Sequence, residues 1–170
     1  MKTLLLYGIL LISLITACNT EISDESISPD SSTSDYLLVG KVGLGWGCSA
    51  VMYKLQDGKL YADTSSSYCK NRETYVFKGY QLSDAQYQRM KDLPTSFPNE
   101  LNSLPSQTFG CPGCADGGML FIQKKTSGGV TKTWLIDDSI LTSDPAGIDK
   151  TFPDYLINYA AHVYDRINTL

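Results

Sequence analysis

Asp57-Gly58 lies between two runs of strand-forming residues, 49–56 and 59–65, and this dipeptide constrains the fold more than any other feature of the chain. Both residues tolerate positive φ, so a two-residue turn joins the runs as an antiparallel hairpin and sets its register. Leu55 then faces Leu60, Tyr53 faces Ala62 and Val51 faces Thr64, while Met52, Lys54, Gln56, Lys59, Tyr61 and Asp63 share the other face. The first face reads as core and the second as mostly solvated. A second hairpin is expected over residues 119–125 and 130–137, about Gly128-Gly129. Its residues Leu120, Phe121, Ile122, Trp134, Leu135 and Ile136 are apolar on both faces, which predicts an inner position in a sheet.

Two further strands are expected, at 36–44 and at 73–81, where Tyr75, Phe77 and Gly79 alternate with Val76, Lys78 and Tyr80. Ser83 and Gln86 have capping-box spacing, and Leu82 with Tyr87 supplies a hydrophobic staple, so a short helix opens at Ser83 and stops before Pro94. Residues 95–118 form a long connection with one helical turn at 99–104. A last helix begins near Thr151, with Asp154 in its first turn. Leu156, Ala160, Val163, Ile167 and Leu170 form its apolar stripe, widened by Ile157 and Tyr164. The expected fold is α+β: an antiparallel sheet of about five to six strands, with a short helix and a C-terminal helix packed on one face.

The N-terminus carries a different signal. Lys2, an apolar run from Leu4 to Ile15 and the small pair Thr16-Ala17 lead to Cys18. A run of this length is too short to span a bilayer, which needs about 20 apolar residues. Ile15-Thr16-Ala17-Cys18 resembles the lipobox of bacterial lipoproteins. The resemblance implies cleavage after Ala17, lipidation of Cys18 and anchoring by several acyl chains, since one chain alone binds marginally. Asn19 rather than Asp after the Cys implies sorting to the outer membrane. Residues 19–35 hold five acids, six Ser, Pro29 and no aromatic or basic residue, the composition of a disordered tether. The organisation is therefore a signal peptide at 1–17, the lipidated Cys and tether at 18–35, and one domain at 36–170. The chain carries a net charge of −4, and residues 36–170 hold thirteen basic and thirteen acidic side chains, leaving no field for nucleic acid. The membrane enters as a partner through the lipid anchor alone.

Cys48, Cys69, Cys111 and Cys114 remain, an even number for an oxidising compartment. Extending the first hairpin places Cys48 opposite Ser67, so a Cys48–Cys69 bridge across its open end is reasonable, and Cys111 and Cys114 can close the loop Cys-Pro-Gly-Cys. Zinc held by four thiolates is disfavoured because there is one Cys-x-x-Cys knuckle. A thioredoxin-like site is disfavoured because Ala115-Asp116-Gly117-Gly118 and a strand follow, where that chemistry needs a helix.

The other candidates are weaker. His162 is the one His and lies off the helix stripe, so it reads as structural. The Gly-rich Gly43-Leu44-Gly45-Trp46-Gly47 precedes a strand, which removes the phosphate-cradling geometry and leaves a bend beside Trp46. Asp137, Asp138, Asp144 and Asp149 fit no calcium-loop spacing, and no metal or cofactor is expected. Phe109 to Gly118 reads as a rigid exposed loop and a partner contact, with Phe109 as apolar anchor and Asp116 on its shoulder; the alternative buries Phe109 beneath the loop as a staple.

The lipobox, the Ser/Asp tether and the Cys-Pro-Gly-Cys-Ala-Asp-Gly-Gly segment together resemble small envelope lipoproteins of Bacteroidota. A fainter similarity, in the hairpin and terminal helix, is to small inhibitors of secreted metallopeptidases, and it transfers no site residues. The expectation is a non-enzymatic binding or inhibitor module in the envelope, facing a protein partner. The alternative is an envelope thiol-disulfide protein using Cys111 and Cys114.

Overall fold

Asp57 and Gly58 take up the expected turn, with φ of 50° and 72°. The computed structural model describes residues 34–114, 117–126, 128–141 and 152–170. Around the turn, β2 (Ser49–Gln56) pairs with β3 (Lys59–Asp63) in the predicted register, Leu55 opposite Leu60 and Tyr53 opposite Ala62. Strand β1 (Tyr36–Gly43) lies between β2 and β6 (Gly118–Lys125), antiparallel to both. Strand β7 (Thr131–Asp137) completes the second hairpin, and β6 is internal as expected.

The architecture is α+β, but the sheet has seven strands and is mixed: with β4 (Tyr80–Gln81) and β5 (Gln107–Phe109) at its edges, the order is β4-β3-β2-β1-β6-β7-β5. The departure from an all-antiparallel sheet is β5 (Gln107–Phe109), which joins the edge parallel to β7 with Phe109 opposite Ile136. Ser106 Oγ accepts from the Thr133 amide at 3.0 Å, and the Pro105 carbonyl accepts from Trp134 Nε1 at 3.0 Å. These contacts steer a short Pro- and Ser-rich stretch onto an edge that its composition does not announce. The strand expected over 73–81 shrinks to β4 (Tyr80–Gln81). Residues 75–79 keep the predicted alternation, Phe77 buried and Val76 and Lys78 exposed, without a ladder of their own.

Three helices cover one face. Helix α2 (Asp84–Met90) carries the capping box: Ser83 Oγ accepts from the Gln86 amide and Gln86 Oε1 accepts from the Ser83 amide at 3.1 Å. Helix α3 (Asn99–Ser103) supplies Leu101, and α4 (Asp154–Asn168) buries Leu156, Tyr159, Ala160, Val163 and Ile167. The start expected for α4 near Thr151 lies outside the described residues. Trp134, fully buried, meets Phe97 at 5.5 Å between ring centres, and Phe97 meets Tyr159 at 5.1 Å. Such pairs add to area burial without replacing it.

The opposite face corrects the expectation of a wet surface. Met52, Lys54, Gln56, Tyr61 and Asp63 are all buried there, and of that set Lys59 alone is exposed. The segment from α1 (Ser67–Lys70) to Phe77 returns across this face and lays Tyr68 and Phe77 over Leu38, Met52 and Phe121. Hairpin alternation says which residues share a face. It cannot say that a later segment covers it.

Candidate functional site

Strand registers define two ends of the sheet. Gly43 pairs with both Ser49 and Gly118, and Met119 pairs with Asp137, so the connections 44–48 and 110–117 and the turn at Asp137-Asp138 emerge together. Tyr36, where residues 1–35 join the body, pairs with Gln56 and Lys125 at the other end. A strand of the length of β1 separates the ends by roughly 25 Å.

Both cysteine pairs belong to the first of these ends. Cys48 and Cys69 are bridged with Cα atoms 5.6 Å apart, and Cys111 and Cys114 with Cα atoms 5.5 Å apart. Strand β3 stops at Asp63, and the single turn of α1 swings Cys69 back beside Cys48, the curl that the sequence register required. Asp63, 2 % exposed, gathers the chain ahead of that turn: its carboxylate accepts from the Ser65 amide at 3.0 Å, Ser65 Oγ at 2.6 Å, Ser67 Oγ at 2.5 Å and Tyr75 OH at 3.1 Å. Burial opposes ionisation of Asp63, but these donors outweigh it and hold the carboxyl below its usual range.

The Cys-Pro-Gly-Cys loop is clamped from three sides. Gly110 and Gly113 take φ of 74° and 83°, which side chains disfavour. Leu44 presses on Gly113, where an added Cβ would come within 2.7 Å of Leu44 Cδ1. Asp137 Oδ2 accepts from the Cys111 amide and Asp138 Oδ2 from the Gly118 amide, each at 2.9 Å. The two aspartates weighed as cation ligands are thus occupied as acceptors for the backbone, and among the described residues no group of three His, Cys, Asp or Glu forms a metal site. Asp144 and Asp149 lie outside the described residues.

Cys111 and Cys114 are exposed, and β6 begins at Gly118, four positions after Cys114. Phe109 is half-buried and packs against the main core, while Asp116 and Cys18 lie outside the described residues.

Trp46 is the residue that sequence reasoning passed over. It was expected beside a bend, and it stands at the tip of the 44–48 connection with relative exposure of 105 %. The signal in the sequence was a Trp between Gly45 and Gly47; the fastening of the loop by Leu44 against Gly113 and by the Cys48 bridge is seen only in the fold. A fully exposed Trp is rare, because its large apolar area is ordinarily at least part-covered.

His162, on α4, faces Asp92 and Ser96: Nε2 lies 3.0 Å from Asp92 Oδ2, and Nδ1 lies 3.4 Å from Ser96 Oγ. The order Ser–His–Asp is that of a hydrolase triad, but Arg166 Nη2 donates to the same Asp92 oxygen at 2.6 Å. That guanidinium already neutralises the carboxylate that a triad needs to stabilise imidazolium. The cluster ties the turn after α2 to α4, which agrees with the structural role expected for His162. Comparison with protein-family models and with curated proteins returns no match.

Proposed function

We propose that this chain is a lipid-anchored envelope protein whose body is a non-enzymatic binding or inhibitor module, contacting a partner protein through the end that carries Trp46. The observation that carries the proposal is a fully exposed Trp on a loop fastened by the Cys48–Cys69 bridge and packed beside the clamped Cys111–Cys114 loop. Trp is the side chain most enriched where binding energy concentrates, and a preordered loop loses little entropy on docking. Asp116, next in sequence to the second loop, is proposed as a polar contact at its rim. Phe109 supports the loop from the core side.

The lipobox supports anchoring at Cys18 to the outer membrane. The junction with the tether lies at the end of the body remote from Trp46, which leaves the proposed contact surface clear of the lipid. Labelled palmitate should enter the wild-type chain and not Cys18→Ala, and its entry into that variant would remove the anchor from the account. Trp46→Ser should keep the melting temperature and lose the contact; a contact unchanged in Trp46→Ser would remove Trp46 from it.

A further inference from the structure

Lys54 is 2 % exposed, and no carboxylate of the described residues lies within ion-pair distance of it, Asp57 acting on its charge only from farther off. It lies in a cross-sheet row on the face away from α2, α3 and α4: Tyr61, Lys54, Leu38, Gln123 and Thr133 are successive partners from β3 to β7. Tyr75 and Phe77 close over this row, leaving a cavity of about 220 Å³ between. The rings of Tyr36, Tyr61 and Phe77 stand 5.5, 5.8 and 5.4 Å from the Lys54 amine.

Three aromatic faces favour a cation but do not neutralise it, and an unpaired buried charge is unfavourable. Burial accordingly pushes the Lys54 amine below its ordinary pKa. The one buried carboxylate on this face, Asp63, is taken up by Ser65, Ser67 and Tyr75. Gln123 is also committed, its Oε1 accepting from Tyr36 OH at 2.9 Å and its Nε2 donating to Thr133 Oγ1 at 3.0 Å. Among the residues that line the cavity, Lys54 supplies the one cationic donor for an anion, and Thr131 stands at the exposed rim.

We propose that this cavity binds the carboxylate of a small apolar acid, with Lys54 as counter-charge and Tyr36, Leu38, Tyr75 and Phe77 around the hydrocarbon part. A single ammonium matches a monoanion, whereas phosphate groups are ordinarily held by several donors or a helix N-terminus. The volume lies below that of drug-sized sites, about 300–1,000 Å³, so the ligand is limited to one ring or a short chain. This site lies apart from the Trp46 end and stands or falls independently of the proposed partner contact.

The test titrates benzoate, its neutral isostere benzamide and inorganic phosphate into the full-length mature chain, reading heat and the NMR signal of the Lys54 ε-methylene. The proposal expects saturable benzoate binding that moves the Lys54 signal, with benzamide and phosphate at least tenfold weaker. Lys54→Met should bind benzoate at least tenfold more weakly. Because Lys54 is buried, Thr131→Trp serves as the second variant: it alters an exposed residue, blocks the rim and should weaken benzoate to a similar degree. Benzamide or phosphate binding as tightly as benzoate, a Lys54 signal unmoved at saturation, full affinity in Thr131→Trp or no benzoate binding would each overturn it.

Discussion

Asp137 Oδ2 lies 2.9 Å from the backbone nitrogen of Cys111, so the last residue of β7 holds the first residue of the Cys-Pro-Gly-Cys loop. The same carboxylate accepts from the Ser139 amide through Oδ1 at 2.9 Å. Burial raises the Asp137 pKa, and the Ser139 and Cys111 amides more than reverse this, leaving the carboxyl below its usual range.

Asp137→Ala should therefore free the loop more than it weakens the sheet. Losing a charge-assisted acceptor for two amides costs about 1–3 kcal/mol locally. Amide exchange at Cys111 and Ser139 should accelerate by one to two orders of magnitude, while exchange in β1 and β6 stays unchanged. Equal acceleration in β1 would show that Asp137 supports the whole domain.

Asp63 predicts an acid-side loss of stability. Its folded pKa lies below the ordinary value, so its contribution is fully present above the unfolded carboxylate pKa of about 3.9 and fades as pH falls through the folded value. Asp63→Asn should be destabilised at neutral pH and should flatten the acid limb of a plot of unfolding free energy against pH. An unchanged acid limb would assign the acid sensitivity to other carboxylates.

Gly40 and Met52 make a steric prediction. A Cβ on Gly40 would fall 2.0 Å from Met52 Sδ and 2.9 Å from the Val51 carbonyl oxygen. Gly40→Ala should cost about 1–3 kcal/mol by overpacking. Met52→Ala should cost a comparable amount by itself, yet the double variant should be less destabilised than the two single costs combined. Additive costs in a denaturant cycle would show that the methionine is not what requires glycine.

The Cys48–Cys69 bridge closes a loop with a sequence separation of 21, and its removal in Cys48→Ala/Cys69→Ala should destabilise by about 2–4 kcal/mol. Equilibrium unfolding of both proteins measures this. A smaller effect than that of Cys111→Ala/Cys114→Ala, whose loop has a separation of 3, would invert the expected order.

How much was legible follows from the range of each interaction. The Asp57-Gly58 register, the Ser83 capping box, the inner position of β6 and the α4 stripe are local patterns, and each appears in the structure. The Cys48–Cys69 and Cys111–Cys114 pairs were also within reach, because a hairpin register and a three-residue spacing restrict where sulfurs can meet. What escaped depends on chain segments far apart in sequence. Gln107–Phe109 becomes a strand because β7 offers an open edge, and Lys54 becomes buried because residues 67–77 fold back over it. Nothing in the hairpin sequence itself distinguishes Lys54 from a solvated lysine. Trp46 differs again: its glycine neighbours were visible, but its exposure depends on the bridge and on how Leu44 seats against Gly113.

If the Trp46 end is the surface that meets a partner protein, site-specific photocrosslinking of the full-length chain in cells reads the contact at the residue itself. A photoreactive residue would replace Trp46 in one chain and Lys59, exposed beside the hairpin turn at the opposite end, in another. The expected result is one protein adduct of defined mass from position 46, lost when Cys48 and Cys69 are both replaced by Ala, and no matching adduct from position 59. The same adduct from both positions, or an adduct with position 59 alone, would contradict it.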